Sequence, residues 1–269
     1  MSILRRHLAI VVVAVIFASP GFLVPRAAVH AAASRELHVA AASDLRFALE
    51  ELSRLFERQR AVPVRLTFGS SGQLAAQIEQ GAPFSIFFSA NEGFVRSLAE
   101  KGHIDRTSIQ LYAIGRIALW VRNESPLDLS RGLSVLLDER IRFVAIANPE
   151  HAPYGQAAVQ AMRASGLMAR VQPRLVLGEN ISQTLQFVQT GNADIGIVAL
   201  SLAIAPTVRS NGRYHLVPAY LHRPIRQTVG VTTRAVRPDL ARQFVSFVNG
   251  PSGRAIMRRY GFTLPGEGL

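Results

Sequence analysis

The chain has 269 residues, a formal charge of +12 and no cysteine. The missing cysteine excludes disulfides, thiolate metal sites, a cysteine nucleophile and a lipidated N-terminal cysteine. Thirty residues are Lys or Arg and only Lys101 is lysine, yet the arginines are scattered and not interleaved with aromatics. That pattern fits solvated helix faces better than a nucleic-acid surface, so no nucleic-acid partner is expected.

The first residues read as an export leader. Arg5, Arg6 and His7 precede the short apolar run Leu8 to Ala18, and small residues from Ala27 to Ala33 suit cleavage. Residues 1–33 are therefore expected to be a signal peptide and the mature chain to be periplasmic. No later apolar run is long enough to span a bilayer.

Glu36 to Ala40 reads as a strand. It is followed by Ala41-Ala42-Ser43-Asp44 and a helix with Leu45, Ala48, Leu49, Leu52, Leu55 and Phe56 on one face. Pro63 to Phe68 is a second strand. Gly69-Ser70-Ser71-Gly72 then opens a helix through Leu74, Ala75 and Ile78, stopped at Gly81. A strand at Ser85 to Ser89 and a helix at Glu92 to Glu100 complete a β-α-β-α alternation, which predicts an α/β lobe with a largely parallel sheet. Leu111 to Ile114 and Ile117 to Val121, parted by Gly115-Arg116, read as strands crossing into a second lobe.

The second lobe repeats the pattern. After a short helix at Gly132 to Leu137 and a strand at Ile141 to Ile146 comes Asn148-Pro149-Glu150-His151-Ala152-Pro153-Tyr154-Gly155, then a helix to about Ala164. Pro153 suits a first helical position. A strand at Arg174 to Leu177 leads through Gly178-Glu179-Asn180 into a helix from Ile181 to Thr190, with Asn180 as a candidate N-cap. Asp194 to Ala199 is a buried strand. Arg226 to Thr232 is a strand that could return to the first lobe, with helices at Pro238 to Asn249 and Ser252 to Tyr260.

The architecture thus contains four strand–loop–helix junctions, two per lobe. Free N–H groups and the positive end of the dipole make a helix start a cradle for a small anion. In open α/β sheets ligands bind beyond the carboxyl ends of the strands. Two facing lobes would aim four helix starts at one cleft. For any one junction a plain N-cap is the more ordinary explanation, and only the recurrence argues for a ligand. Asp44 is awkward there, because its carboxylate repels an anion unless it points away. Enzyme readings are poorly served: Gly69 to Gln73 is not a G-x-S-x-G elbow, no P-loop ending follows, and no histidines take metal-ligand spacing. No catalytic residue, metal site or cofactor is expected.

These junctions resemble the periplasmic molybdate-binding proteins of the ModA family, which serve ABC importers. The likeness rests on Ala41-Ala42-Ser43-Asp44-Leu45, on Phe68 to Gly72 with Gly81-Ala82-Pro83-Phe84, and on Asn148 to Gly155. It continues in Glu179 to Thr184, Gly191-Asn192-Ala193-Asp194 and Arg259-Tyr260-Gly261-Phe262. The resemblance implies a two-lobed type II periplasmic-binding-protein fold of the α/β class, with one lobe from 34–116 and 224–269 and the other from 117–223. It implies hydroxyl and N–H donors from Ser43 and Ser71, backbone N–H donors from Tyr154 and Ile181, and Asp44, Ser70, Asn180 and Ala199 as further candidates. Ala199 stands where some members carry a ligand tyrosine. The implied cargo is molybdate or tungstate, with molybdenum bound as its oxyanion, and the implied partner is an inner-membrane ABC permease served by a monomer. The alternatives are the same fold holding sulfate, phosphate or a small organic anion, or an enzyme on a bilobal frame.

Overall fold

A computed structural model describes residues 36–267; the expected signal segment lies outside the described residues. The chain forms two five-stranded sheets, each flanked by helices. The first begins with β1 (Leu37–Ala42), which passes through one 3-10 turn, Ser43–Leu45, into α1 (Arg46–Arg60). It continues with β2 (Val64–Gly69), α2 (Ser71–Glu79), β3 (Ile86–Ser89), α3 (Glu92–Glu100) and β4 (Gln110–Gly115).

β5 (Ile117–Arg122) starts the second sheet. β6 (Val144–Ala147), α4 (Pro153–Ala164), β7 (Leu175–Gly178), α5 (Ile181–Gln189), β8 (Ile195–Ala199) and β9 (Gly212–Leu216) complete it. The chain then returns as β10 (Ile225–Val231) and closes with α6 (Pro238–Asn249) and α7 (Pro251–Arg259) on the first lobe.

The strand orders are β2-β1-β3-β10-β4 and β7-β6-β8-β5-β9. β1 pairs in parallel with β2 and β3, while β10 runs antiparallel to β3 and β4. The second sheet follows the same plan, with β6 parallel to β7 and β8, and β5 antiparallel to β8 and β9. Each sheet is therefore mixed, with four strands in one direction and a single strand, β10 or β5, against them. The physical reason is the traffic between lobes: β5 and β10 each enter a sheet from the other lobe, and so run against its βα units.

Two local readings shift. The segment at Gly132 to Leu137 is a 3-10 stretch, Leu129–Leu137, kinked at Gly132 with φ 59°. β9 was not anticipated, because Arg213, Tyr214 and Leu216 are exposed on this edge strand and leave no buried alternation to read.

The cores explain why the pattern was otherwise legible. Leu49, Leu52 and Phe56 of α1 are buried, and Phe56 meets Phe244 of α6 edge-on with centroids 5.0 Å apart. Phe88 of β3 packs edge-on to Tyr112 of β4 at 5.2 Å. That contact fixes a tyrosine whose hydroxyl donates to Gln227 of β10.

Candidate functional site

All four helix starts open onto one hollow. Its walls are Ala42, Ser43, Asp44, Gly69, Ser70, Ser71, Ala90, Ala152, Pro153, Tyr154 and Ile181. The free space between them is ≈ 190 Å³ with the mouth included. The walls leave room for no more than a small ion. No Lys or Arg lines it.

Sequence and close packing set these positions. Ala41, Ala42 and Ala90 are small and buried, so the first-lobe wall has little side-chain bulk. Gly155 lets the start of α4 lie against the end of β6: a Cβ there would sit 1.9 Å from the Ala147 carbonyl oxygen. Pro153 occupies the first turn, where its missing N–H costs nothing. Tyr154 and Ile181 are the second and first residues of α4 and α5. Their N–H groups cannot reach an intrahelical carbonyl.

The hydroxyls of Ser71 and Ser43 each accept a main-chain bond. Ser71 Oγ accepts from the Ala90 N–H at 2.9 Å, which leaves its own proton for a ligand. Ser43 Oγ accepts from the Ser182 N–H at 3.3 Å. Both residues are buried. Ser70 does other work. It is the N-cap of α2, accepting from the Gln73 N–H at 3.4 Å, and its hydroxyl lies 2.8 Å from His151 Nδ1. The sequence could not apportion cap and donor between these adjacent serines.

Two other candidates do not line the hollow. Asn180 caps α5, its side chain accepting from the N–H groups of Ser182 and Gln183, and it faces a groove beside Arg46 and Phe47. Ala199 is buried at the end of β8, opposite Ile117. A separate groove that shares only Ala90 and Pro153 with the hollow contains Glu92 and Arg226, paired at 3.1 Å.

Asp44 lines the hollow, and its carboxyl is held in a buried hydrogen-bond network rather than in solvent. The residue is 1% exposed. Its Oδ2 accepts from Tyr154 Oη–H at 2.8 Å and from Gln227 Nε2 at 2.7 Å. Gln227 also donates to Tyr154 Oη at 2.9 Å, and its Oε1 accepts from Tyr112 Oη–H at 2.6 Å. Ser201 Oγ donates to the Asp44 main-chain oxygen at 2.8 Å. Burial pushes the Asp44 carboxyl up to about 7, against the lowering effect of the Gln227 and Tyr154 hydrogen bonds. Burial, together with Asp44, raises the Tyr154 phenol well above its usual range. Gln227, Tyr112 and Ser201 escaped the sequence reading. The available signal was Gln227, a long polar side chain inside the apolar strand Ile225–Val231.

The lobes meet through further bonds at the mouth. The Gly72 N–H donates to the His151 carbonyl at 2.9 Å, Gln73 Nε2 donates to Glu179 at 2.6 Å, and Ser182 Oγ donates to the Ser43 carbonyl at 3.0 Å. The hollow is thus closed over by direct contacts between the lobes. Among the described residues, no group of three or more His, Asp or Glu side chains could hold a metal ion.

Comparison with known proteins bears on this geometry. A molybdate-binding protein ModA of Rhodobacter capsulatus is 34% identical over 231 residues, covering 86% of this chain and 89% of that protein. The ModA of Azotobacter vinelandii is 34% identical over 234 residues, covering 87% and 92%. The solved periplasmic molybdate-binding protein of Azotobacter vinelandii superimposes with a TM-score of 0.80, over 85% of this chain and 99% of that one. A sulfate-binding protein, SubI of Mycobacterium tuberculosis, shares the fold at TM-score 0.70 with only 16% identity. Residues 37–263 match the model of the bacterial extracellular solute-binding proteins. By that match and these relatives, the chain belongs to the bacterial extracellular solute-binding proteins and, within them, to the ModA family.

Proposed function

We propose that the protein captures molybdate in the interlobe hollow, through Ser43, Ser71, Tyr154 and Ile181, and passes it to an ABC permease. The observation that carries this is the convergence of two hydroxyls and four helix starts on one small space without a cationic side chain. A tetrahedral dianion has its charge spread over four oxygens. Oriented N–H and O–H groups can replace its water without supplying a formal positive charge. The 34% identity to proteins named for molybdate supports the choice of ion.

In this reading molybdenum stays inside its oxyanion, no side chain ligates the metal, and no resident cofactor or chemical step is involved. The interlobe hydrogen bonds then serve closure over the bound ion, and closure is the signal a permease reads. Tungstate, of similar size and charge, is expected to bind as well. Sulfate offers the same donor needs with shorter bonds, so selection against it rests on the size of the closed hollow. Export through the leader at 1–33, action as a monomer and lobes at 34–116 with 224–269 and at 117–223 complete the proposal.

Isothermal titration of the mature chain tests it. Tight one-to-one binding of molybdate, with sulfate and phosphate much weaker, is the expected result. Equal affinity for sulfate, or no binding of either, refutes it.

A further inference from the structure

We propose that Asp44 serves the oxyanion as a neutral carboxylic acid, donating from Oδ1 to a ligand oxygen, so that closure over the dianion takes up one proton. This rests on the anion-binding reading of the hollow and adds a donor and a proton to it.

The hydrogen-bond directions dictate where that proton sits. Tyr112 gives its only hydroxyl proton to Gln227 Oε1, which fixes the amide with Nε2 towards Asp44. Nε2 then supplies one proton to Asp44 Oδ2 and one to Tyr154 Oη. Tyr154, having accepted that bond, gives its own proton to Oδ2. Oδ2 is therefore an acceptor twice over. A proton on this carboxyl belongs on Oδ1, a buried atom that no other residue bonds; besides Tyr154 and Gln227, only the main-chain amide of Asp44 itself acts on the carboxyl by hydrogen bonding. Asp44 lines the hollow. An orphaned O–H beside an ion that needs donors is matched, whereas an orphaned carboxylate oxygen beside a dianion is doubly penalised, by burial and by like charge.

Among the described residues, no Lys, Arg or His side chain is bonded to the Asp44 carboxyl. The groups bonded to its carboxyl are Tyr154 from α4 and Gln227 from β10, and Tyr112 from β4 stands behind Gln227. Both phenols are raised well above their ordinary range, so neither changes charge near neutrality. On α1, Arg46 lies 3.9 Å from Glu50 on the partly exposed face. α5 and the short helix Leu200–Ala203, which also pack on the Ser43–Leu45 turn, carry no ionisable side chain. His151 reaches the hollow only through Ser70.

The sign follows from the two states. With the lobes apart, Asp44 meets water and has the ordinary carboxylate value of about 3.9. Closed, it stands at about 7, and the dianion raises it further. Between those values the closed, loaded form carries a proton that the open form lacks. Molybdate affinity is therefore greatest on the acid side and weakens by roughly tenfold per pH unit as pH rises towards 7.

The test is molybdate titration of the full mature chain, in buffers of different ionisation enthalpy at pH 6, with dissociation constants followed to pH 8. The expected result is uptake of close to one proton per molybdate and affinity that falls with pH. Asp44→Asn presents the same acceptor to Tyr154 and Gln227 and an N–H in place of Oδ1–H. It should bind molybdate with a flat pH profile and without proton uptake, although His151 is still present. No proton uptake by the wild type, or a folded D44N variant that no longer binds, overturns the assignment. So does phosphate, which carries its own proton near neutrality, binding more tightly than molybdate to the wild type and losing that preference in D44N. If D44N does not fold, the wild-type proton count decides alone. A wild type that binds no molybdate at pH 6 refutes instead the reading of the hollow as a molybdate site.

Discussion

Replacing Gly72 with alanine separates closure from folding. Gly72 is the second residue of α2, on the first-lobe side of the mouth. Its N–H donates to the His151 carbonyl of the other lobe at 2.9 Å. An added Cβ would lie 2.8 Å from that oxygen, 2.9 Å from His151 Cβ and 3.1 Å from His151 Cα. Two of the three atoms are backbone, so no rotamer change relieves the contact. The lobes must part by a few tenths of an ångström or more, and the interlobe hydrogen bond weakens. Losing that bond costs about 0.5–1.5 kcal/mol, and a forced contact of this kind about 1–3 kcal/mol. Taking about 2 kcal/mol as the working figure, the dissociation constant for molybdate rises roughly 30-fold. With the lobes apart nothing opposes the methyl group, and alanine is the better helix former by up to about 1 kcal/mol. The melting temperature without ligand should therefore hold or rise, while the ligand-induced increase shrinks. Calorimetric titration and thermal melts with and without molybdate measure both quantities. An affinity within threefold of wild type, or an equal loss of stability without ligand, would refute the account of closure.

Other substitutions probe the donors one at a time. Ser71→Ala removes an O–H that the Ala90 N–H has oriented; a hydrogen bond to a charged group contributes about 1.5–3 kcal/mol, so molybdate binding should weaken at least tenfold in titration. Tyr154→Phe keeps the main-chain donor and removes the hydroxyl's bonds to Asp44 Oδ2 and from Gln227 Nε2. It should cost no more than about tenfold in affinity, and complete loss would show that the side chain, not the N–H, makes the contact. Gly155→Ala places a Cβ 1.9 Å from the Ala147 oxygen. It should lower stability in denaturant by about 2 kcal/mol or more and displace the Tyr154 N–H from the hollow.

Much of this molecule was legible in one dimension. The helical stripe from Leu45 to Phe56, the glycine stop at Gly81, Pro153 at a first helical position and Asn180 as a cap are local features. Local features depend on backbone dihedrals and on spacing along the chain. The four junctions could be located for the same reason, since a strand, a small-residue loop and a helix start are contiguous. The single reversed strand in each sheet was not legible, because strand direction depends on which lobe the chain has just left. The edge strand β9 was missed because its exposed residues carry no buried alternation.

The site divides along the same line. The resemblance to the ModA family implied donors at Ser43, Ser71, Tyr154 and Ile181, and the sequence could only suppose that they face one space. That they line a single hollow is a matter of how two lobes meet, through contacts separated by more than a hundred residues, such as Asp44 with Tyr154 and Gln227. Asp44 illustrates the difference most clearly. Read in its own segment it is a first-turn acid that suits the helix dipole and is awkward only beside an anion. Enclosed by a tyrosine from one lobe and a glutamine from the other, it is a carboxyl that burial holds partly neutral near pH 7. A side chain's type is written in the chain, but its charge state depends on the solvent it has lost, and only the closed tertiary structure decides that.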